Sequence, residues 1–146
     1  MKPSILITAL LIFTMSSGFA SEGPDSGKAS ASFKKEFSGA TQVNWEKNHD
    51  YQLVTFKLND EFLFAYYSKD GELMALARNI LSCKLPLSLD MSLKTNYAGY
   101  WITELFEVSM NGLTTYHIIL ENAEHILKLE SVDGGNWEVD SKKVKQ

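Results

Sequence analysis

Apolar positions in this chain fall at a spacing of four in two short stretches and at a spacing of two over most of the rest. Phe33 and Phe37 lie four apart, as do Leu89, Leu93 and Tyr97. That spacing stacks side chains on one face of a helix. It predicts one helix over about residues 29–38 and a second opened by Leu85-Pro86, because proline in a first helical turn forfeits no hydrogen bond. Gly39 and Gly99 follow their stripes by two residues, a placement that suits a helix C-cap. The stretches FKKEFSGA (33–40) and LKTNYAGY (93–100) echo each other 60 residues apart, and each leads into strand-like sequence. The echo predicts a helix-then-strands unit used twice.

Strand signals fill the remainder. Val43 and Trp45 alternate with polar neighbours, so Trp45 is expected to be buried on a sheet. Residues 51–58 and 61–67 are β-rich runs joined by Asn59-Asp60, a two-residue hairpin turn. Asp70-Gly71 leads into a run over 72–80. Residues 100–109, 113–120 and 124–131 read as strands with turns at Asn111-Gly112 and Asn122-Ala123. Asp133-Gly134-Gly135 repeats the earlier Asp-Gly turn, and a short strand over 136–139 precedes a polar, lysine-rich tail. The expected fold is α+β, with two tandem helix-plus-antiparallel-strand repeats forming one domain over residues 31–140. The units fall at about 31–82 and 83–140.

Register decides which side chains face together. With Asn59-Asp60 as the loop, Leu58 opposes Glu61 and Phe56 opposes Leu63. One face then carries Val54, Phe56, Leu63, Ala65, Met74 and Leu76. The other carries Leu53, Phe62, Phe64, Tyr66, Leu73 and Ala75. Both faces are apolar, yet a helix covers only one. The second must pack inside the chain, on another molecule or on a ligand.

Residues 1–20 read as a secretory signal peptide, with Lys2, an apolar run over 5–13 and small residues at 16–20. The apolar run is well short of the roughly 20 residues a membrane span needs. No Cys follows it, which argues against a lipid anchor, and the expected location is periplasmic or secreted. Ser, Gly and Pro enrich residues 21–30, expected to be a flexible lead-in. Removing Lys2 with the leader takes the formal charge from −4 to −5. An acidic chain without a basic run lacks the footprint of a nucleic-acid binder.

Candidate chemistry is sparse. His49 sits in a polar turn. His117 and His125 flank one hairpin: a two-residue loop puts them on opposite faces, a three-residue loop on one face, and neither provides a third zinc ligand. No metal or cofactor is expected. Cys83, the single cysteine, sits in Ile80-Leu81-Ser82-Cys83-Lys84-Leu85, which carries no nucleophile signature. The acidic residues Glu104, Glu107, Glu121, Glu124, Glu130, Asp133 and Glu138 give the second half a negative rim.

The chain resembles the PepSY-like proteins, a group described as β-lactamase-inhibitor-like and common among exported proteins of Bacteroidetes. The resemblance rests on Phe33-x-x-x-Phe37-x-Gly39-Ala40 followed by Val43-Asn44-Trp45-Glu46. It continues through the 51–58 strand, the 64–67 strand running into Asp70-Gly71-Glu72-Leu73, and Leu85-Pro86. It covers about residues 32–137. The second half departs from the pattern, with Leu105 where the counterpart of Trp45 would fall. The resemblance implies a tandem α+β fold with antiparallel sheet and no known enzyme activity. It also implies likeness to an inhibitor that grips its target with an aromatic-rich concave sheet.

The expected function is a non-enzymatic binding module that meets a protein or envelope component through its sheet, with a homodimer as a further possibility. The recognition surface is placed on Tyr51, Phe62, Phe64 and Tyr66, rings at alternate positions that share a face. The alternatives are a carrier of a small hydrophobic ligand or lipid and, from the enzyme class, a Cys- or His-dependent hydrolase.

Overall fold

The computed structural model describes residues 27–146. The expected leader, and all but the last four residues of the expected lead-in, lie outside the described residues. The chain runs α1 (Lys28–Glu36), β1 (Thr41–Lys47), β2 (Gln52–Leu58), β3 (Glu61–Tyr67) and β4 (Leu73–Asn79). A 3-10 turn at Ser82–Lys84 leads to α2 (Leu87–Asn96), then β5 (Trp101–Met110), β6 (Leu113–Glu121), β7 (His125–Ser131) and β8 (Glu138–Val144). All eight strands join one antiparallel sheet in chain order.

This corrects the expectation of an α+β fold made of two tandem helix-plus-strand repeats. The helices are only 9 and 10 residues long, about 15 Å each at 1.5 Å per residue. The hydrogen-bonded ladder passes without a break from β4 to β5, through pairs Leu76↔Ser109 to Asn79↔Phe106. The fold is therefore dominated by a single sheet. The helical stripes in the sequence are real, but they are short covers on that sheet and do not organise separate units.

The helix ends also differ from the spacing argument. Each helix stops one residue before the last ring of its stripe, with Phe37 and Tyr97 as C-caps, and the turn closes through Ala40 N–H to the Phe37 carbonyl and Tyr100 N–H to the Tyr97 carbonyl. Gly39 and Gly99 do not adopt positive φ; the glycines that do are Gly71, Gly112 and Gly134. The hairpin turns follow their sequence signals. Asn59 and Asp60 have φ of 50° and 65°, and Asn111 and Gly112 have 52° and 74°, the left-handed pair that a two-residue hairpin demands.

Both helices lie on one face of the sheet. Under α1, Phe33 packs edge-on against Trp45 and Phe56 at centroid distances of 5.5 and 5.0 Å, with Val54, Ala65 and Tyr67 completing that core. Under α2, Leu89 and Leu93 meet Leu105, Ile118, Leu120, Leu127 and Leu129. Between the two cores the same face turns polar. Arg78 donates from Nε to Glu107 at 2.9 Å and from Nη1 to Glu61 at 3.2 Å, a bridge that spans the sheet between the two described helices.

The short strand expected over 136–139 lies further on, and the lysine-rich tail is part of it: β8 (Glu138–Val144) forms the edge strand against β7. Lysines on an edge strand discourage pairing with other chains, so the polar composition that hides this strand in the sequence also suits its place. Lys145 pins its end, 2.8 Å from Glu121 and stacked 5.0 Å from the Trp101 ring.

Candidate binding surface

The register of β2 with β3 is the one expected, with Leu58↔Glu61 and Phe56↔Leu63. Leu53, Phe62, Phe64 and Tyr66 consequently face away from the helices. Here a third cluster forms from Leu53, Tyr66, Ala75, Ala77 and Val108, with Tyr51, Phe64, Met74, Phe106 and Met110 packed around it. Both helices place their buried apolar residues in the other two clusters. The third belongs to the strands β2–β5 and the residue that leads into them.

Burial on a face that neither described helix covers has a local cause. Strand β4 presents alanines, Ala75 and Ala77, where β3 presents Tyr66 and Phe64 as direct partners. The small side chains leave a trough into which rings from β3 and β5 lean. Phe64 and Phe106, two strands apart, meet edge-on at 5.9 Å. Met74 departs from the helix-side face expected for it and packs with this cluster, next to the irregular register between Tyr66 and Tyr67.

The four expected recognition residues share this face but differ in access. Phe62 is 48 % exposed and Tyr66 only 3 %, while Tyr51 and Phe64 are half-buried. Tyr51 and Tyr66 stack edge-on at 5.5 Å. Burial, and then the neighbouring Tyr51 and Glu46, push the Tyr66 phenol well above its usual range. Tyr66 is thus the floor of the surface, and Phe62 and Phe64 are its accessible part. The alternation of residues 51–66 places these rings correctly. The contribution of β5 is missed, although Phe106 and Val108 stand at alternate positions in a predicted strand and carry the same signal.

At the end of β4 the surface opens. β4 and β5 are last joined by Ile80 N–H to the Leu105 carbonyl, while β5 itself extends back to Trp101. No strand among the described residues pairs with β5 on that side below Leu105. A cleft of about 450 Å³ results, with Phe64, Phe106, Ile80, Ile102, Asn79 and Glu104 in its lining.

Towards β7 and β8 the face becomes polar and acidic. His117 lies opposite Phe106 and Glu130, is 2 % exposed, and shares a 3.0 Å hydrogen bond between Nε2 and Thr115 Oγ1. Its Nδ1 is 3.9 Å from the Glu130 carboxylate, but loss of solvent prevails over the opposing pull of Asp140. The ring pKa falls to about 4, so His117 is neutral at pH 7. Burial, then the nearby Asp140 and Glu138, raise the Glu130 carboxyl. His125 faces the other side of the sheet, since it precedes Leu127 and Leu129 by even steps. Cys83 is exposed in the 3-10 turn, and its thiol makes no hydrogen bond among the described residues.

No family model matches the chain, and no curated protein does. Solved structures do resemble it. A DUF2874 family protein from Bacteroides ovatus ATCC 8483 aligns with a TM-score of 0.71 at 15 % identity, covering 84 % of this chain and 89 % of that one. A BLIP-like protein from Bacteroides fragilis NCTC 9343 aligns with a TM-score of 0.67 at 13 % identity, covering 84 % and 87 %. A protein from Bacteroides eggerthii DSM 20697, provisionally described as periplasmic, gives 0.70 at 13 % identity, covering 84 % and 89 %. The fold is accordingly the one these DUF2874 and BLIP-like proteins share. A PepSY-like assignment finds no family model behind it, and the likeness is one of fold.

Proposed function

We propose that this protein is a non-enzymatic, inhibitor-like binding module, exported to the periplasm, whose sheet face opposite the two described helices receives another protein. The observation that carries this reading is the cluster built on Leu53, Tyr66, Ala75, Ala77 and Val108, an apolar surface that neither helix covers. Phe62 keeps about half its surface in water there, at a cost of roughly 25 cal/mol per Å² of apolar area that a partner would relieve. Rigid aromatic rings on a continuous sheet bind at low entropic cost, and such rings dominate many interfaces. The fold shared with a BLIP-like protein and with a provisionally periplasmic one is consistent with the same role and address. No helix among the described residues is long and apolar enough to cross a membrane.

Affinity capture from a periplasmic extract tests the reading, with wild-type protein and Phe64→Ala as paired baits. A specific partner retained by wild type and lost with the variant, whose circular dichroism matches wild type, is the expected result. A partner held equally by both would place recognition elsewhere. Turnover of chromogenic esters or peptides that disappears in Cys83→Ala would replace the binding reading with a hydrolase.

A further inference from the structure

The cleft where β4 ends has a composition of its own. Phe64 and Phe106 form aromatic walls, Ile80 and Ile102 extend them, and three polar residues, Asn79, Thr103 and Glu104, share the lining, of which Thr103 is already engaged with the Ile119 carbonyl. No lysine or arginine among the described residues lines it. Glu104 is half-buried and makes no side-chain hydrogen bond or ion pair among the described residues. On the same face its ladder neighbours are Ile119 and then Lys128, and Lys128 does not pair with it. A carboxylate that has lost part of its water and gained no partner is an unbalanced charge, which an incoming cation would neutralise.

We infer that this cleft receives one cationic side chain, arginine or lysine, from a loop of the protein partner. The inference rests on the sheet-face reading and gives that partner a definite chemistry. At about 450 Å³ the space lies within the range of sites that hold small ligands, and a single long side chain suits it. The aliphatic stem of the cation runs along Ile102 and Ile80. Its head sits over the ring faces, where the negative π quadrupole attracts it, within reach of the Glu104 carboxylate and the Asn79 amide oxygen. Arginine is preferred, because its planar guanidinium stacks on rings and forks onto a carboxylate. The cleft is continuous with the Phe62–Phe64 stripe through Phe64, so one loop spans both with an apolar residue on the stripe and a cation in the cleft. The chain's formal charge of −4, which becomes −5 once Lys2 leaves with the leader, favours approach of such a loop.

The test is selection from a display library of disulfide-closed 12-residue loops, unbiased in charge, against the whole protein. Enriched loops are then measured by titration against wild type, Glu104→Gln and Phe62→Ser. The expected result is loops that carry Arg or Lys beside an aromatic or aliphatic residue. Their affinity should fall at least tenfold with Glu104→Gln, and with added salt in wild type more than in that variant. Enriched loops without a cation that still weaken with Phe62→Ser would overturn the cleft inference and leave the sheet-face reading standing. Loops indifferent to both substitutions, or no enrichment at all, would overturn both.

Discussion

Phe64 and Phe106 belong to strands that are not neighbours, yet their rings meet at 5.9 Å with planes 75° apart. The strand between them makes this possible by presenting Ala77, the ladder partner of both Phe64 and Val108. The surface is thus shaped by an absence of side-chain volume as much as by its aromatic residues.

Filling that trough should be costly. Ala77→Leu inserts three carbons into a site that is 5 % exposed and ringed by larger groups. Overpacking of this kind costs about 1–3 kcal/mol. Urea unfolding should show a lower midpoint at unchanged slope, and near-ultraviolet circular dichroism should report the displaced rings. An unshifted midpoint would mean that the trough has spare room.

Trp45 anchors the core under α1, touching Phe33 edge-on and lying 6.1 Å from Tyr67. It is 5 % exposed, as the alternation around it predicts. Trp45→Ala should cost about 3–5 kcal/mol, measured by urea unfolding, with Trp45→Phe recovering part of the loss.

Gly71 and Gly112 both have positive φ, at 83° and 74°, but only one is hemmed in. A Cβ on Gly71 would lie 2.7 Å from the Lys28 carbonyl carbon, at the start of α1, whereas one on Gly112 would meet nothing within 4 Å. Gly112→Ala should cost about 1 kcal/mol from backbone strain alone. Gly71→Ala should cost visibly more, because α1 must shift. Equal losses in thermal unfolding would show that α1 yields freely.

His117 makes stability depend on pH. Its pKa is about 4 when folded against 6.5 for an exposed histidine. Between those values the unfolded chain takes up a proton that the folded one refuses. The contribution is complete above pH 6.5 and is lost as pH falls towards 4, by up to about 3 kcal/mol in all. Glu130 works the other way, since its raised pKa favours the folded state as acid is added. His117→Gln isolates the first effect, and denaturant titrations from pH 7 to 4 should give a flatter stability profile for that variant. Parallel profiles would show that His117 takes up its proton equally in both states.

Much of this was legible in the sequence because the determining signals are local. Asn59-Asp60 and Asn111-Gly112 fix hairpin registers, and register assigns every side chain between them to a face. The apolar pattern on both faces of 51–66 correctly marked the surface away from the helices. Three features were not legible. The sheet is single because β4 bonds to β5, a pairing between strands separated by α2 that leaves no turn signature. The extension of β8 through the lysine-rich tail was hidden because edge strands carry polar residues on purpose. The role of Ala75 and Ala77 was invisible, since small residues produce no signal in a search for large ones. His117 and His125 face opposite sides, one of two outcomes left open by the length of the turn that follows Glu121.

Site-specific photocrosslinking in cells that make the protein tests the central claim most directly. A benzophenone amino acid placed at Phe62, on the face away from α1 and α2, is compared with one at Leu87, which is 72 % exposed on the opposite side. The account predicts a discrete crosslinked partner from position 62 and none from position 87. A partner captured from position 87 but not from position 62 would contradict it.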